Sequence, residues 1–139
     1  MTRNARIAYI VGAALMAAGT IGPWVQVSIG VAGAVPVSGF GHGAGILLVL
    51  LGLAVVLLRR AEGAAQLVGL LAVLWMAYCA YALPGDFTDA GAWQAEGAWG
   101  MYVSLVGALV LGLGLVAAAF ARLQTMALRL AAARVARQA

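Results

Sequence analysis

Residues 98–121 read AWGMYVSLVGALVLGLGLVAAAFA and stop at Arg122. No Asp, Glu, Lys or Arg interrupts these 24 positions. A hydrocarbon layer of roughly 30 Å is crossed by about 20 apolar residues in a helix, so the stretch is long enough to span a bilayer. Backbone amides in lipid find partners only inside a helix or a closed barrel, which predicts a helix here. Three further apolar runs lie upstream, over residues 7–24, 40–58 and 63–83, and none contains Asp, Glu, Lys or Arg. Their lengths also fall within the spanning range of roughly 17–25 residues.

The composition agrees. Hydrophobic residues make up 65% of the 139 and charged residues 9%, with a mean hydropathy of +1.06. A water-soluble domain this small has too much surface to cover with so few charges. That excludes an ordinary soluble enzyme, a disordered tail and a nucleic-acid binder. The expected fold is an all-α membrane protein, a four-transmembrane-helix bundle forming one integral membrane domain. Outer loops are expected over 25–39 and 84–97, with a basic tail over 122–139.

The positive charges set the orientation. The chain has eight arginines and no lysine, and its net charge is +4. Arg3 and Arg6 precede the first run, Arg59 and Arg60 follow the second, and Arg122, Arg129, Arg134 and Arg137 follow the fourth. The positive-inside rule places both termini in the cytoplasm of a multi-pass plasma (inner) membrane protein. Asp86, Asp89 and Glu96 then fall outside. Arg59, Arg60, Arg122, Arg129, Arg134 and Arg137 are expected to contact the anionic inner leaflet, each contributing about 1 kcal/mol near the surface. The tail is expected to hug the membrane as a weakly amphipathic helix, the alternative being an extension of helix four that docks on a partner. The first run has the layout of a signal peptide, but three more runs follow, so an anchor helix is expected. Arginine-only basicity with abundant Ala, Gly and Val suits a GC-rich, actinobacterial source.

The loops differ. Val25-Gln26-Val27-Ser28-Ile29-Gly30-Val31 alternates apolar and polar residues, the period of a half-buried strand. Ala32-Gly33 offers a turn and Val35-Pro36-Val37-Ser38 a return strand, which Pro36 confines to a sheet edge. A small β-hairpin is therefore predicted on the bundle. Pro23 and Trp24 are expected to end helix one at the membrane interface, where tryptophan concentrates. The loop over 84–97, with Phe87 and Trp93, reads as polar and anchored by aromatics. Pro84-Gly85 is expected to end helix three.

Gly100, Ser104, Ala108 and Gly112 recur every fourth residue, and Gly41 and Gly45 form a second such pair. Small residues at this spacing let helix backbones approach closely in lipid, either inside the bundle or against another chain. Trp75, Tyr78 and Tyr81 suggest an aromatic stripe on helix three, which would serve packing or line a lipid or ligand pocket. His42 is the single histidine and Cys79 the single cysteine, too few for a zinc site or an internal disulfide. Asp86, Asp89 and Glu96 lack calcium-loop spacing. No catalytic residue, cofactor or metal is expected. Gly41-His42-Gly43-Ala44-Gly45 and Gly97-Ala98-Trp99-Gly100-Met101, each leading into a Leu/Val run and arginine, form a faint internal repeat.

Pro23-Trp24-Val25 after helix one, a β-prone loop, and Ser38-Gly39-Phe40-Gly41 before a Leu-rich helix resemble small uncharacterised four-span membrane proteins of actinobacteria. That resemblance implies a topology and no settled activity. The layout is also loosely similar to claudin-type tetraspans, although the paired loop cysteines and Gly-Leu-Trp motif of that family are missing here. The functional expectation is a non-catalytic accessory subunit whose partners are the lipid bilayer and other membrane subunits or itself. The alternatives are a small homo-oligomeric transporter or channel-like protein and an envelope lipid-binding or sensor protein.

Overall fold

A computed structural model describes residues 3–28, 33–41, 43–89 and 94–138. Four α-helices, α1 (Arg3–Ile21), α2 (Ala44–Leu57), α3 (Glu62–Asp89) and α4 (Trp99–Gln138), combine with three strands, β1 (Pro23–Ser28), β2 (Ala34–Ser38) and β3 (Gln94–Gly97). A 3-10 turn, Leu58–Arg60, follows α2. Each helix packs on its neighbours in sequence and α4 closes the ring against α1. The chain reverses at every connection, so Arg3, Arg6, Arg60 and Arg122 gather at one end of the ring and the sheet covers the other.

Three helices are long and apolar enough to cross a membrane: Arg3–Ile21, Gly63–Asp89 and Trp99–Arg134. The second apolar run does not form the 19-residue helix expected over 40–58. Gly43 takes a left-handed φ of 82°, a conformation that suits glycine, and α2 begins only at Ala44. Its 14 residues rise about 21 Å.

Other boundaries also shift. Helix one ends at Ile21 and not at Trp24, because Gly22-Pro23 breaks the helix and opens β1. Helix three does not stop at Pro84. It continues to Asp89, where half-buried Phe87 packs on the core and Thr88 Oγ1 donates to the Gly85 carbonyl at 2.7 Å. Helix four runs far past Ala121, so the tail prolongs the last span without a break.

The first outer loop forms the expected antiparallel pair, with Val25 opposite Val37 and Val27 opposite Val35. Pro36 lies on an edge strand, since the order is β2-β1-β3. Its turn residues 29–32 lie outside the described residues. The unforeseen element is β3, which pairs Gln26 with Glu96 and Val27 with Ala95. The segment expected to be a polar loop thus adds a third strand.

Small residues line many of the helix contacts around buried Met16, Leu48, Met76 and Leu111, and many large apolar side chains face outward. Gly12, Gly19, Gly52, Ala65, Gly69, Ala72, Gly107 and Gly114 are buried. Leu50, Leu53, Leu70, Leu74, Leu109 and Leu113 are exposed. Burying large apolar side chains drives folding in water, whereas helices in lipid associate by close backbone packing. The distribution, with three helices apolar enough to cross a membrane, is compatible with a membrane protein.

Candidate functional site

Among the described residues, helices pack most closely along the α1–α4 seam. A Cβ placed on Gly12 would sit 2.7 Å from the Leu111 nitrogen, and one on Gly107 would sit 2.7 Å from the Gly12 carbonyl oxygen. Gly19 and Gly100 oppose each other in the same way, a Cβ on either lying 2.6 Å from the other's carbonyl oxygen. Gly114 packs on Ala8 and Tyr9. Buried Ser104 donates its hydroxyl to the Met16 carbonyl at 3.1 Å, and Ala108 is buried beside it.

Three of the four residues of the four-residue stripe, Gly100, Ser104 and Ala108, therefore lie in or beside one seam, and α1 fills it. Gly112 does not join them. At about 100° per residue, twelve residues carry it about 120° around the helix from Gly100, and a Cβ placed on it would meet only Val73 of α3, at 3.9 Å. Gly107 and Gly114, seven and fourteen residues on, return to the face of Gly100. The seam thus follows alternating steps of four and three, the packing of left-handed bundles.

At the sheet end the organising residue is Trp24, 1% exposed, and not the interfacial anchor expected. The β1–β2 register slips between Pro23 and Val25. This bulge turns two consecutive side chains, Trp24 and Val25, inward. The Trp24 indole N–H donates to the Gly19 carbonyl at 3.1 Å, satisfying the end of α1. Gly39 lies on the indole, where a Cβ would approach Cε2 to 2.6 Å. Gly45 presses in turn on Gly39 and donates its N–H to the Gly39 carbonyl at 2.9 Å. Gly41 is exposed and its N–H is held by the Ser38 hydroxyl at 3.0 Å. The adjacency of Trp24 and Val25 in a strand-like run was the available sign of a bulge, since both are apolar where alternation demands one of each.

The aromatic stripe of α3 is only partly assembled. The Trp75 and Tyr78 rings lie 5.6 Å apart and tilted by 32°, and the Trp75 N–H donates to the Ala44 carbonyl at 3.2 Å, tying α3 to α2. Tyr81 is 89% exposed. Six residues from Trp75, it has turned about 120° off that face. A separate apolar trough of about 310 Å³ runs between α1 and α2 over Ala13, Ala14, Ala17 and Gly52.

At the arginine end, half-buried Arg122 donates to the Gln66 side-chain oxygen at 2.9 Å, tying α4 to α3. Arg60, Arg129 and Arg134 are exposed, and Arg59 and Arg137 lie on described backbone. From Leu123 to Arg134 every side chain of α4 is exposed, including Leu123, Met126, Leu128 and Leu130. Asp86, Asp89 and Glu96 are exposed at the sheet end, and His42 lies outside the described residues. Among the described residues no group of three His, Cys, Asp or Glu side chains converges. Cys79 is buried in the core as a free thiol.

Comparison with known protein families, with curated proteins and with solved structures finds no match to this chain.

Proposed function

We propose that the protein is a non-catalytic accessory subunit of a larger bacterial membrane assembly. It crosses the plasma membrane four times, with both termini in the cytoplasm. The observation that carries this reading is the far end of α4, where Leu123, Met126 and Leu130 stand exposed on one face beyond Arg122. Apolar side chains that project past the spanning segment have no lipid to cover them, and contiguous exposed apolar surface marks interaction sites.

The topology rests on charge and length. Ala44–Arg60, counting the 3-10 turn, rises about 27 Å, close to the thickness of a bilayer core, and exposed Arg60 can snorkel to the interface. The positive-inside rule places the arginine end in the cytoplasm. The subunit reading is preferred to a homo-oligomeric transporter because α1 already covers most of the small-residue face such an oligomer would use.

The test is gentle extraction of the tagged protein from its native membrane, followed by native sizing and mass spectrometry. A heteromeric particle of fixed stoichiometry is expected. A stable monomer, or a homo-oligomer carrying only lipid, would overturn the reading.

A further inference from the structure

We propose that α4 beyond Arg122 is a docking helix for an acidic partner protein, whose apolar groove takes Leu123, Met126 and Leu130 between carboxylates that pair with Arg129 and Arg134. This deepens the subunit reading and rests on it.

The first argument is reach. The 40 residues of α4 extend about 60 Å, of which a bilayer core accounts for roughly 30 Å. The residues after Arg122 continue the same helix and contain neither Gly nor Pro, the usual causes of a sharp kink. The segment is therefore directed away from the membrane plane and cannot fold back on it without breaking its own hydrogen bonds.

The second argument is the arrangement of side chains. At about 100° per residue, Met126, Leu130 and Leu123 fall within an arc of about 60°. Arg122 and Arg129 border that arc on one side and Arg134 on the other, and the position of Arg137 falls within the arc about two turns beyond Leu130. The opposite arc carries Ala127, Ala131, Ala132, Thr125 and Leu128. A helix lying in a bilayer surface separates its apolar and basic residues onto opposite faces, whereas here they share one face. Helix-in-groove recognition reads anchors at such spacings, and guanidinium groups at the rim pair bidentately with carboxylates.

Charge decides between the remaining occupants. From Arg122 onward the sequence holds four arginines and no Asp or Glu. A second copy seated on this face would oppose arginine to arginine. Arg122 is already engaged with Gln66, and among the described side chains beyond it Arg129 and Arg134 are the exposed cations presented to a partner.

The experiment places a photo-cross-linking amino acid at Met126, Leu130 or Ala132 of the full chain in its native membrane. An adduct of fixed mass is expected at 126 and 130, at least about tenfold above that at 132, as befits a desolvated charge-flanked contact. Its cross-linked peptide should be rich in Asp and Glu. The pair Arg129→Glu and Arg134→Glu should abolish the adduct, while Arg129→Lys with Arg134→Lys should retain part of it. Adducts to phospholipid, to a second copy, or equally to both faces, or no adduct, would overturn the proposal.

A chain ending at Arg122 separates the two claims, because the bundle itself contains none of the removed residues. If that chain still purifies in the heteromeric particle, the docking helix is refuted and the subunit reading stands. If neither form yields a particle, both fall.

Discussion

The steps of four and three along the α1–α4 seam make a sharp prediction for two glycines on α4. At Gly107 an added Cβ would lie 2.6 Å from the Met16 nitrogen and 2.7 Å from the Gly12 carbonyl oxygen, and both are backbone atoms that cannot rotate away. Ordinary contact begins near 3.4 Å, so α1 and α4 must part locally by up to about 0.8 Å. A gap of that size forfeits roughly a quarter to a half of each dispersion contact along the seam. Overpacking of this kind costs about 1–3 kcal/mol. At Gly112 the same methyl would meet only Val73 Cγ2 at 3.9 Å. The gain in helix propensity from Gly to Ala, about 1 kcal/mol, is common to both sites and cancels when they are compared. Gly107→Ala is therefore expected to be less stable than Gly112→Ala by about 1–3 kcal/mol. The assay is reversible unfolding from mild-detergent micelles on adding SDS, followed by tryptophan fluorescence. Equal midpoints, or the larger loss at Gly112, would refute the seam described here and restore a seam with strict four-residue spacing.

Trp24→Phe keeps most of the buried ring but leaves the Gly19 carbonyl without its indole donor, so a loss of about 1–3 kcal/mol is expected in the same unfolding assay. Unchanged stability would show that the hydrogen bond contributes nothing at the sheet end. Ser104→Ala removes the hydroxyl bond to Met16 across the seam; measured interhelical bonds in membranes average about 0.6 kcal/mol and reach about 1.7, and a loss above that range would mean that Ser104 does more than bridge two helices. Cys79, 1% exposed, should react with a maleimide only after unfolding. A thiol introduced by Tyr81→Cys in a Cys79→Ala background should react at once in detergent, and rapid labelling of Cys79 in the native chain would contradict the packing of α3.

What the sequence revealed depended on how local the signal was. The α4 span and the clustering of arginines at one end are properties of composition along the chain, and both were legible. β1 was legible because Val25, Gln26 and Val27 alternate as a half-buried strand does. β3 was not, because Gln94-Ala95-Glu96-Gly97 has no β-branched or aromatic residue to favour a strand. Its extended form follows from the open edge of β1, which lies some seventy residues earlier in the chain. The seam was half legible. Gly100, Ser104, Ala108 and Gly112 were noticed because every fourth residue is small, but four-residue steps drift around a helix. Only the partner helix shows that Gly107 and Gly114 hold the line. Pro84 misled for a related reason: a proline weakens a helix locally, and the tertiary burial of Phe87 carries α3 beyond it.

Trp24 explains why the two ends of the bundle should respond differently to force. Its indole holds the end of α1 through Gly19, and its ring supports Gly39 at the entrance to α2. Its carbonyl accepts the Ala98 N–H at 2.8 Å just before α4 begins. β1 also receives β2 on one edge and β3 on the other, and these strands lead into α2 and α4. Parting any of the three helices at this end would break sheet bonds or expose the indole. At the other end α4 leaves the ring as a single helix, passing the Arg122–Gln66 bond as it goes. A load applied to the tail therefore reaches the α3–α4 contact first and the tightly packed α1–α4 seam second. A partner held on Leu123, Met126 and Leu130 would be anchored to a lever whose fulcrum is Arg122, with its far end fixed by the sheet.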